Sequence, residues 1–337
     1  MKTMYLVTGG TGFVGNNVIK KLVEQGAQVR TLIRSEEKAR EALKDLLGTV
    51  ETCIGDIRSE ADISKLFKES DQCEYIFIHT AAIVDISGYA FIQEMHDVNV
   101  QGTAAVLKVC REKNVKRFVY VSSVHAITEP KNNALTCEIS EFKPETVVGA
   151  YAKTKAEASV LVMKAVQEGL DAVMVHPSGI IGPNDYSNTH LSQPIVDYND
   201  GKIPAAVIGG YDFVDVRDVA DGIIAACNTG KPGSCWILSG TYHTACEFLN
   251  EMAVHLHKKE IKITLPMWLA RFSLPFMKAY FALAKKRPLY TSYSLYTLRS
   301  NGNFSHEKAS RELGYKPRDF KDTIRDTCEF LRKTGAI

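Results

Sequence analysis

A chain of 337 residues, 45% apolar and 24% charged, is long enough to bury a sizeable core and has the composition of an ordinary globular protein. Its net charge of +2 gives no electrostatic footprint for nucleic acid. The eight cysteines contain no Cys-x-x-Cys pair and no Cys/His cluster, so reduced thiols and no metal site are expected.

A strand begins within three residues of Met1, leaving no room for a secretory leader. The most apolar late stretch, 265–284, is broken by Pro266, Arg271, Pro275 and Lys278, which argues against a membrane span. A cytoplasmic protein is expected. In chain order, strand-like runs fall at 4–8, 28–33, 49–54, 75–79, 117–122 and 172–176. Helix-like runs fall between them at 14–25, 36–47, about 61–68, about 92–113 and 151–167. The strands are continuous apolar runs rather than alternating ones, as when helices cover both faces of a parallel sheet. The alternation implies right-handed βαβ units and an α/β, Rossmann doubly wound sheet. After Pro177 the pattern loosens, a helix resumes at 216–228, and 241–303 reads as mostly helical with breaks. The expected division is a dinucleotide-binding domain from 1–177 plus about 213–237. A smaller, mostly helical substrate-binding portion would comprise about 178–212 and 238–337.

Thr8-Gly9-Gly10-Thr11-Gly12-Phe13-Val14-Gly15 joins the first strand to the first helix, with Gly9, Gly12 and Gly15 spaced G-x-x-G-x-x-G. One glycine permits the tight turn, the second lets backbone approach a pyrophosphate, and the third lets helix pack on strand. The helix N-terminus adds free N–H groups and a partial positive charge. Gly9, Thr11, Gly12, Phe13, Val14 and Gly15 are therefore expected to hold a dinucleotide. NAD binders carry an acidic residue at the end of the second strand. Here Ile33 is followed by Arg34, which can take a 2′-phosphate, with Lys38 one turn into the next helix. NADP(H) is expected over NAD(H). Asp56, beside Ile57, is placed to accept from an adenine amino group. Thr80, Ala81 and Ala82 end the fourth strand with side chains small enough for cofactor to pass, whereas His79 reads as a satisfied core histidine. Val121, Pro177, Gly179 and Ile180 mark the remaining strand ends where a cofactor would lie.

Tyr151 and Lys155 are four residues apart at the start of a helix, hence on one face. A nearby ammonium would lower the phenol's pKa, and the phenol would then exchange a proton with a reacting oxygen. Val121-Ser122-Ser123 ends the fifth strand, where a hydroxyl can hydrogen-bond that oxygen.

These segments resemble the extended short-chain dehydrogenase/reductases. The resemblance is carried by Thr8–Gly15, Asp56, His79–Ala82, Asn99-Val100-x-Gly102-Thr103, Ser122-Ser123, Tyr151/Lys155 and Pro177. Phe213-Val214-Asp215-Val216-Arg217-Asp218-Val219-Ala220 and Leu313-Gly314-Tyr315 extend it into the second half. Val29-Arg30-x-x-x-Arg34 and Gly182-Pro183-Asn184-Asp185 point to the dihydroflavonol reductase-like group of the NAD-dependent epimerase/dehydratase family. The resemblance implies that Ser123, Tyr151 and Lys155 are catalytic, that Arg34 binds a 2′-phosphate, and that Asn99 orders the site. Ser123 is chosen over Ser122 because the family's serine directly precedes a small or apolar residue, here Val124. It also implies a possible homodimer through the helices at about 92–113 and 151–167. His125 and His176 depart from the family pattern.

Substrate contacts are expected from Val84, His125 and an aromatic stripe of Trp268, Phe272, Phe276, Tyr280 and Phe281, suited to a large apolar ketone. Basic residues between 177 and 212 are few, Lys202 and His190, so a nucleotide-sugar diphosphate would be poorly held. The activity expected is NADP(H)-dependent reduction of a ketone or aldehyde. A 3β-type hydroxysteroid dehydrogenase, a nucleotide-sugar epimerase or dehydratase, and a non-catalytic NADP(H) sensor are the alternatives.

Overall fold

The structure is a computed structural model that describes residues 2–68, 72–86, 88–186, 189, 191–283 and 290–337; the side chains of 277–283 lie outside that description. His190, and the side chains of Tyr280 and Phe281, are therefore outside the described residues.

The cofactor half runs β1 (Lys2–Thr8), α1 (Phe13–Glu24), β2 (Gln28–Ile33), α2 (Glu36–Ala42), β3 (Val50–Ile54), α3 (Glu60–Ser64) and β4 (Cys73–His79). Next, α4 (Gln93–His96) passes through a π-helical turn, Asp97–Gly102, into α5 (Thr103–Glu112). It is followed by β5 (Arg117–Val121), α6 (Ala150–Gln167) and β6 (Ala172–Pro177). Beyond Pro177 come β7 (Gly179–Ile181), α7 (Gln193–Asn199), β8 (Ala206–Val207), β9 (Gly210–Asp215), α8 (Val216–Ala226) and β10 (Cys235–Leu238). The chain ends with β11 (Thr241–Thr244), α9 (Ala245–Leu256), β12 (Thr264–Leu265), α10 (Met267–Leu283), α11 (Ser292–Thr297), α12 (Glu307–Leu313) and α13 (Phe320–Lys333).

The main sheet is parallel, with order β3-β2-β1-β4-β5-β6-β10. Its strand order reverses between β1 and β4, which opens a crevice at their carboxyl ends. Successive strand residues point to opposite faces. On one face Leu6, Phe77, Phe118 and Met174 pack against α5 and α6 through Val106, Ala158 and Val162. On the other, Val7, Ile78, Val119 and Trp236 pack against α1 and α8 through Val18, Ile19, Val219 and Ile223.

The sequence pattern predicts six core strands, and the structure adds β10 beside β6. Residues 179–211, which read as loose, contribute to a three-stranded sheet, β11-β9-β7, and a two-stranded one, β12-β8. Strands of two or three residues carry no readable period; their pairing is set by distant partners. Asp215 caps α8 by accepting from Arg217 N at 2.8 Å and binds the Arg217 guanidinium; Arg217 also reaches Asp326 of α13 at 2.7 Å. Asp218 takes Arg318 in the same way at 2.7 Å. The 213–220 motif is thus the joint between the main sheet and the C-terminal helix.

Candidate active site

At the β1–α1 turn, Gly9 has φ +77. A Cβ there would stand 2.6 Å from Thr80 Oγ1 and 2.7 Å from Ala81 N, so the turn lies against the end of β4 with no room for a side chain. A Cβ on Gly15 would fall 2.3 Å from Gly9 O. Gly10, which the motif reading passed over, is as constrained: its Cβ would lie 2.3 Å from Thr31 Oγ1. No side chain caps α1 at Gly12, and its first turn holds no acidic residue. The leading N–H groups, at Phe13, Val14 and Gly15, therefore have no side-chain cap, an arrangement suited to an anion. Thr11, Gly12 and Val14 are half-buried above it. This glycine cradle fits a dinucleotide pyrophosphate.

Arg34 and Lys38 are exposed just beyond β2, where Ser35 caps α2 by accepting from Lys38 N. The field of Arg34 reaches Asp56. The Asp56 carboxylate is held by Arg58, Nη2 to Oδ2 at 2.6 Å and Nε to Oδ1 at 2.9 Å, and this pair holds its pKa below the usual value. Ile57 is buried in the core, its side chain against Gly102. Thr80 Oγ1 donates to Thr8 O at 2.8 Å, and Ala81 and Ala82 are half-buried beside it. His79 is buried with both nitrogens partnered, Nδ1 with Thr8 Oγ1 at 2.6 Å and Nε2 with Thr103 Oγ1 at 3.1 Å. Burial pushes its pKa down to about 3, so the ring is neutral.

Asn99 sits in the π-helical turn. Its amide clasps the loop after β4, accepting from Ile83 N at 2.8 Å and donating to Ile83 O at 2.9 Å, and it also donates to Thr154 Oγ1 of α6 at 3.1 Å. It ties the cofactor edge to the helix that carries Tyr151. Val84, next in that loop, is exposed.

The adjacent serines of the β5 end have different partners. Ser122 Oγ hydrogen-bonds Ser159 Oγ of α6 at 2.8 Å. Ser123 accepts from His125 N at 3.2 Å and lies near enough to Tyr151 to act on its phenol. Tyr151 is buried, and burial pushes its phenol up to about 12, Ser123 acting in the opposite direction. The expectation that Lys155 lowers this value is corrected here. Lys155 Nζ donates to Val121 O at 2.8 Å and lies 4.9 Å over the Tyr120 ring. Burial lowers its own pKa to about 7. Tyr151 therefore holds its proton at neutral pH, the state of a general acid.

Pro177 ends β6 opposite Leu238, and Gly179 and Ile180 start β7 against β9. A Cβ on Gly179 would fall 2.8 Å from Asp212 O. His176 is buried, with Nδ1 3.3 Å from Ser123 O.

The wall across from Tyr151 comes from segments far away in sequence. Tyr293 of α11 is buried, donates to Val148 O at 3.2 Å, and has its phenol pushed up by burial and by Tyr151 among other tyrosines. Gly149, with φ +101, makes room for it: a Cβ there would meet the Tyr293 ring at 2.2 Å. Tyr89 packs edge-on to Tyr293 at 5.3 Å, and Tyr296 stacks on Tyr293 at 6.1 Å. His125, neutral because burial lowers its pKa to about 4, sets its ring 6.5 Å from that of Tyr151. A cavity of about 90 Å³ lies beside His125, lined also by Glu129, Thr146, Tyr296 and Phe304. Sequence reasoning missed Tyr89, Tyr293 and Tyr296; the glycine before the Tyr151 helix was the one local sign of them. Trp268 and Phe272, expected to line this pocket, stand instead on the solvent side of α10, because Met267 and Ala270 occupy its inner side against Leu295.

The NAD dependent epimerase/dehydratase family matches residues 5–237. Sterol demethylase protein B of Methylococcus capsulatus is 30% identical over 98% of this chain and 99% of its own length. The 4-hydroxy-2-methyl-3-oxo-4-farnesyl-3,4-dihydroquinoline-1-oxide ketoreductase of Stigmatella aurantiaca is 29% identical over 98% of this chain and 96% of its own. The crystal structure of gox2253 superposes with a TM-score of 0.82 at 27% identity, covering 99% of both chains.

Proposed function

We propose that this chain, which belongs to the NAD dependent epimerase/dehydratase family and is an NAD(P)-dependent oxidoreductase of the extended short-chain type, reversibly reduces a ketone or aldehyde with NADP(H). The observation that carries the reading is the buried Tyr151 phenol beside Ser123 at the carboxyl end of β5. The bound dinucleotide supplies the hydride. Ser123 orients the carbonyl oxygen, and Tyr151 gives it a proton as charge develops there. Lys155, anchored on Val121 O, is placed to hold a ribose hydroxyl beside Tyr151.

Arg34, with no acidic residue at the end of β2, supports NADP(H) over NAD(H). The tyrosine wall of Tyr89, Tyr293 and Tyr296 supports an uncharged, largely apolar substrate. So do the two relatives, one named for sterol demethylation and one for reduction of a farnesylated ketone. A hydroxysteroid dehydrogenase of 3β type is the second reading, favoured by the sterol relative. Val160 and Leu161, exposed or half-buried on α6, support a homodimer through α5 and α6, checked by light-scattering mass.

A panel of ketones, aldehydes and 3β-hydroxysterols with NADPH against NADH tests the assignment. Tyr151→Phe should lower kcat by about 10²- to 10⁴-fold while leaving NADPH affinity near wild type. Wild-type turnover by that variant would sink the role of Tyr151. Cofactor that co-purifies and is not consumed would favour an epimerase or dehydratase. Failure of every carbonyl to oxidise NADPH would favour a sensor.

A further inference from the structure

The outer face of α10 carries exposed aromatic residues that the catalytic reading leaves unused. The helix packs inward through Met267, Ala270 and Leu274 against Leu295 and Val207. At four-residue spacing on the opposite side stand Trp268, 69% exposed, and Phe272 and Phe276, each 66% exposed. The Phe272 and Phe276 rings lie 5.8 Å apart. Ile263, next to β12, is 61% exposed, and Ile208, whose N–H pairs with Leu265 O across the β8–β12 ribbon, is 53% exposed. Aromatic residues gathered in this way on one face are a docking surface rather than scattered surface apolarity.

The charge pattern identifies the partner. Between Glu260 and Glu307 the sequence holds seven basic residues, Lys262, Arg271, Lys278, Lys285, Lys286, Arg287 and Arg299, and no acidic one. The whole chain has 41 basic and 39 acidic residues, so the remainder is net negative while this segment is strongly positive. A second copy docked through the same face would set one acid-free basic segment against another, with no carboxylate to pair. An anionic lipid surface satisfies both halves of the pattern, burying the rings at the acyl boundary and drawing the exposed Lys262 and Arg271 to its headgroups.

We infer that the Trp268–Phe272–Phe276 face of α10 docks the protein peripherally on anionic membranes. The inference does not depend on the catalytic assignment. Trp268 supplies the readout, because the other tryptophan, Trp236, is fully buried and bonded to Glu312. With the full chain and phosphatidylcholine vesicles containing phosphatidylserine, Trp268 emission should shift to the blue and be quenched by brominated acyl chains. The protein should sediment with these vesicles about tenfold more strongly than with pure phosphatidylcholine, and high salt should release it. The triple variant Trp268→Ser, Phe272→Ser, Phe276→Ser should stay in the supernatant with unchanged melting temperature, NADPH affinity and solution mass. Wild-type protein that sediments with neither vesicle overturns the inference, as does equal binding by the triple variant. A triple variant of half the wild-type mass gives the face to a second copy and also overturns it. The wild-type fluorescence decides the matter even if the variant does not fold.

Discussion

The two sides of the catalytic crevice are built by opposite means. On the proposed cofactor side, at the ends of β1 and β4, the working feature is missing side chains: Gly9 and Gly15 leave backbone against backbone, and Gly10 lies against the Thr31 and Ile19 side chains, so that at each a Cβ would fall within 2.6 Å of a neighbour. On the proposed substrate side the working feature is bulk brought from afar, with Tyr296 stacked on Tyr293 and Tyr89 edge-on to both. Tyr293 is lodged over the one place, Gly149, that could admit it. A dinucleotide presents the same pyrophosphate to every enzyme that binds it, so a local backbone turn suffices. A substrate is met by side chains whose positions depend on how the whole chain returns.

The difference can be broken at either end. The largest effect is expected for Gly15→Ala, because the Cβ meets Gly9 O, which the turn cannot move aside. NADPH affinity should fall by more than about 100-fold, and a titration with wild-type affinity would refute the cradle. Gly149→Ala puts the same change on the substrate side. With φ +101 and the Tyr293 ring in the way, it should destabilise the protein by about 2–3 kcal/mol in urea melts, yet leave NADPH affinity within about threefold of wild type.

Lys155 links the two sides, and its titration gives a third test. Burial lowers its pKa from the ordinary 10.5 to about 7. Above the lowered value the folded chain has released a proton that the unfolded chain keeps, so stability from this group rises with pH between those two values. Lys155→Met removes the dependence. Its advantage over the wild-type cofactor-free protein should therefore shrink by about 1–2 kcal/mol from about pH 7 to about pH 9; a gap that stays constant would contradict the burial. The smallest effect is expected at Ser122. Ser122→Ala breaks the bond with Ser159, for about 1 kcal/mol of stability, with kcat nearly unchanged. Ser123→Ala, one residue on, should lower kcat by about 10²-fold. If the two serines behaved alike, their separate partners would have no functional meaning.

Much of this was legible in the sequence. The βαβ alternation gave the sheet and all the strands before Pro177, because long apolar runs and helical periods are local signals. The glycine spacing marked the turn, and Tyr151 with Lys155 at one helical turn marked the helix beneath the site. Local reading failed where the partner was distant. It left β7 to β12 unseen and read β11 as helical, since strands of two to six residues without a clear period are fixed only by the distant partners that pair with them. It assigned Trp268 and Phe272 to the pocket, because helical spacing identifies a face without saying what that face meets. It expected the lysine to depress the phenol, because burial of both groups cannot be read from four-residue spacing.

The sequence by itself determined the Rossmann sheet and marked the proposed dinucleotide turn and Ser-Tyr-Lys set, through local signals of backbone freedom, period and spacing. Only the tertiary structure decided that the phenol keeps its proton, that Ser122 is tied to Ser159, and that Tyr293 is buried near Tyr151 while Trp268 is exposed. Those outcomes depend on burial and on contacts between distant parts of the chain, as in the bond across 145 residues from Tyr293 to Val148, and no local pattern records either.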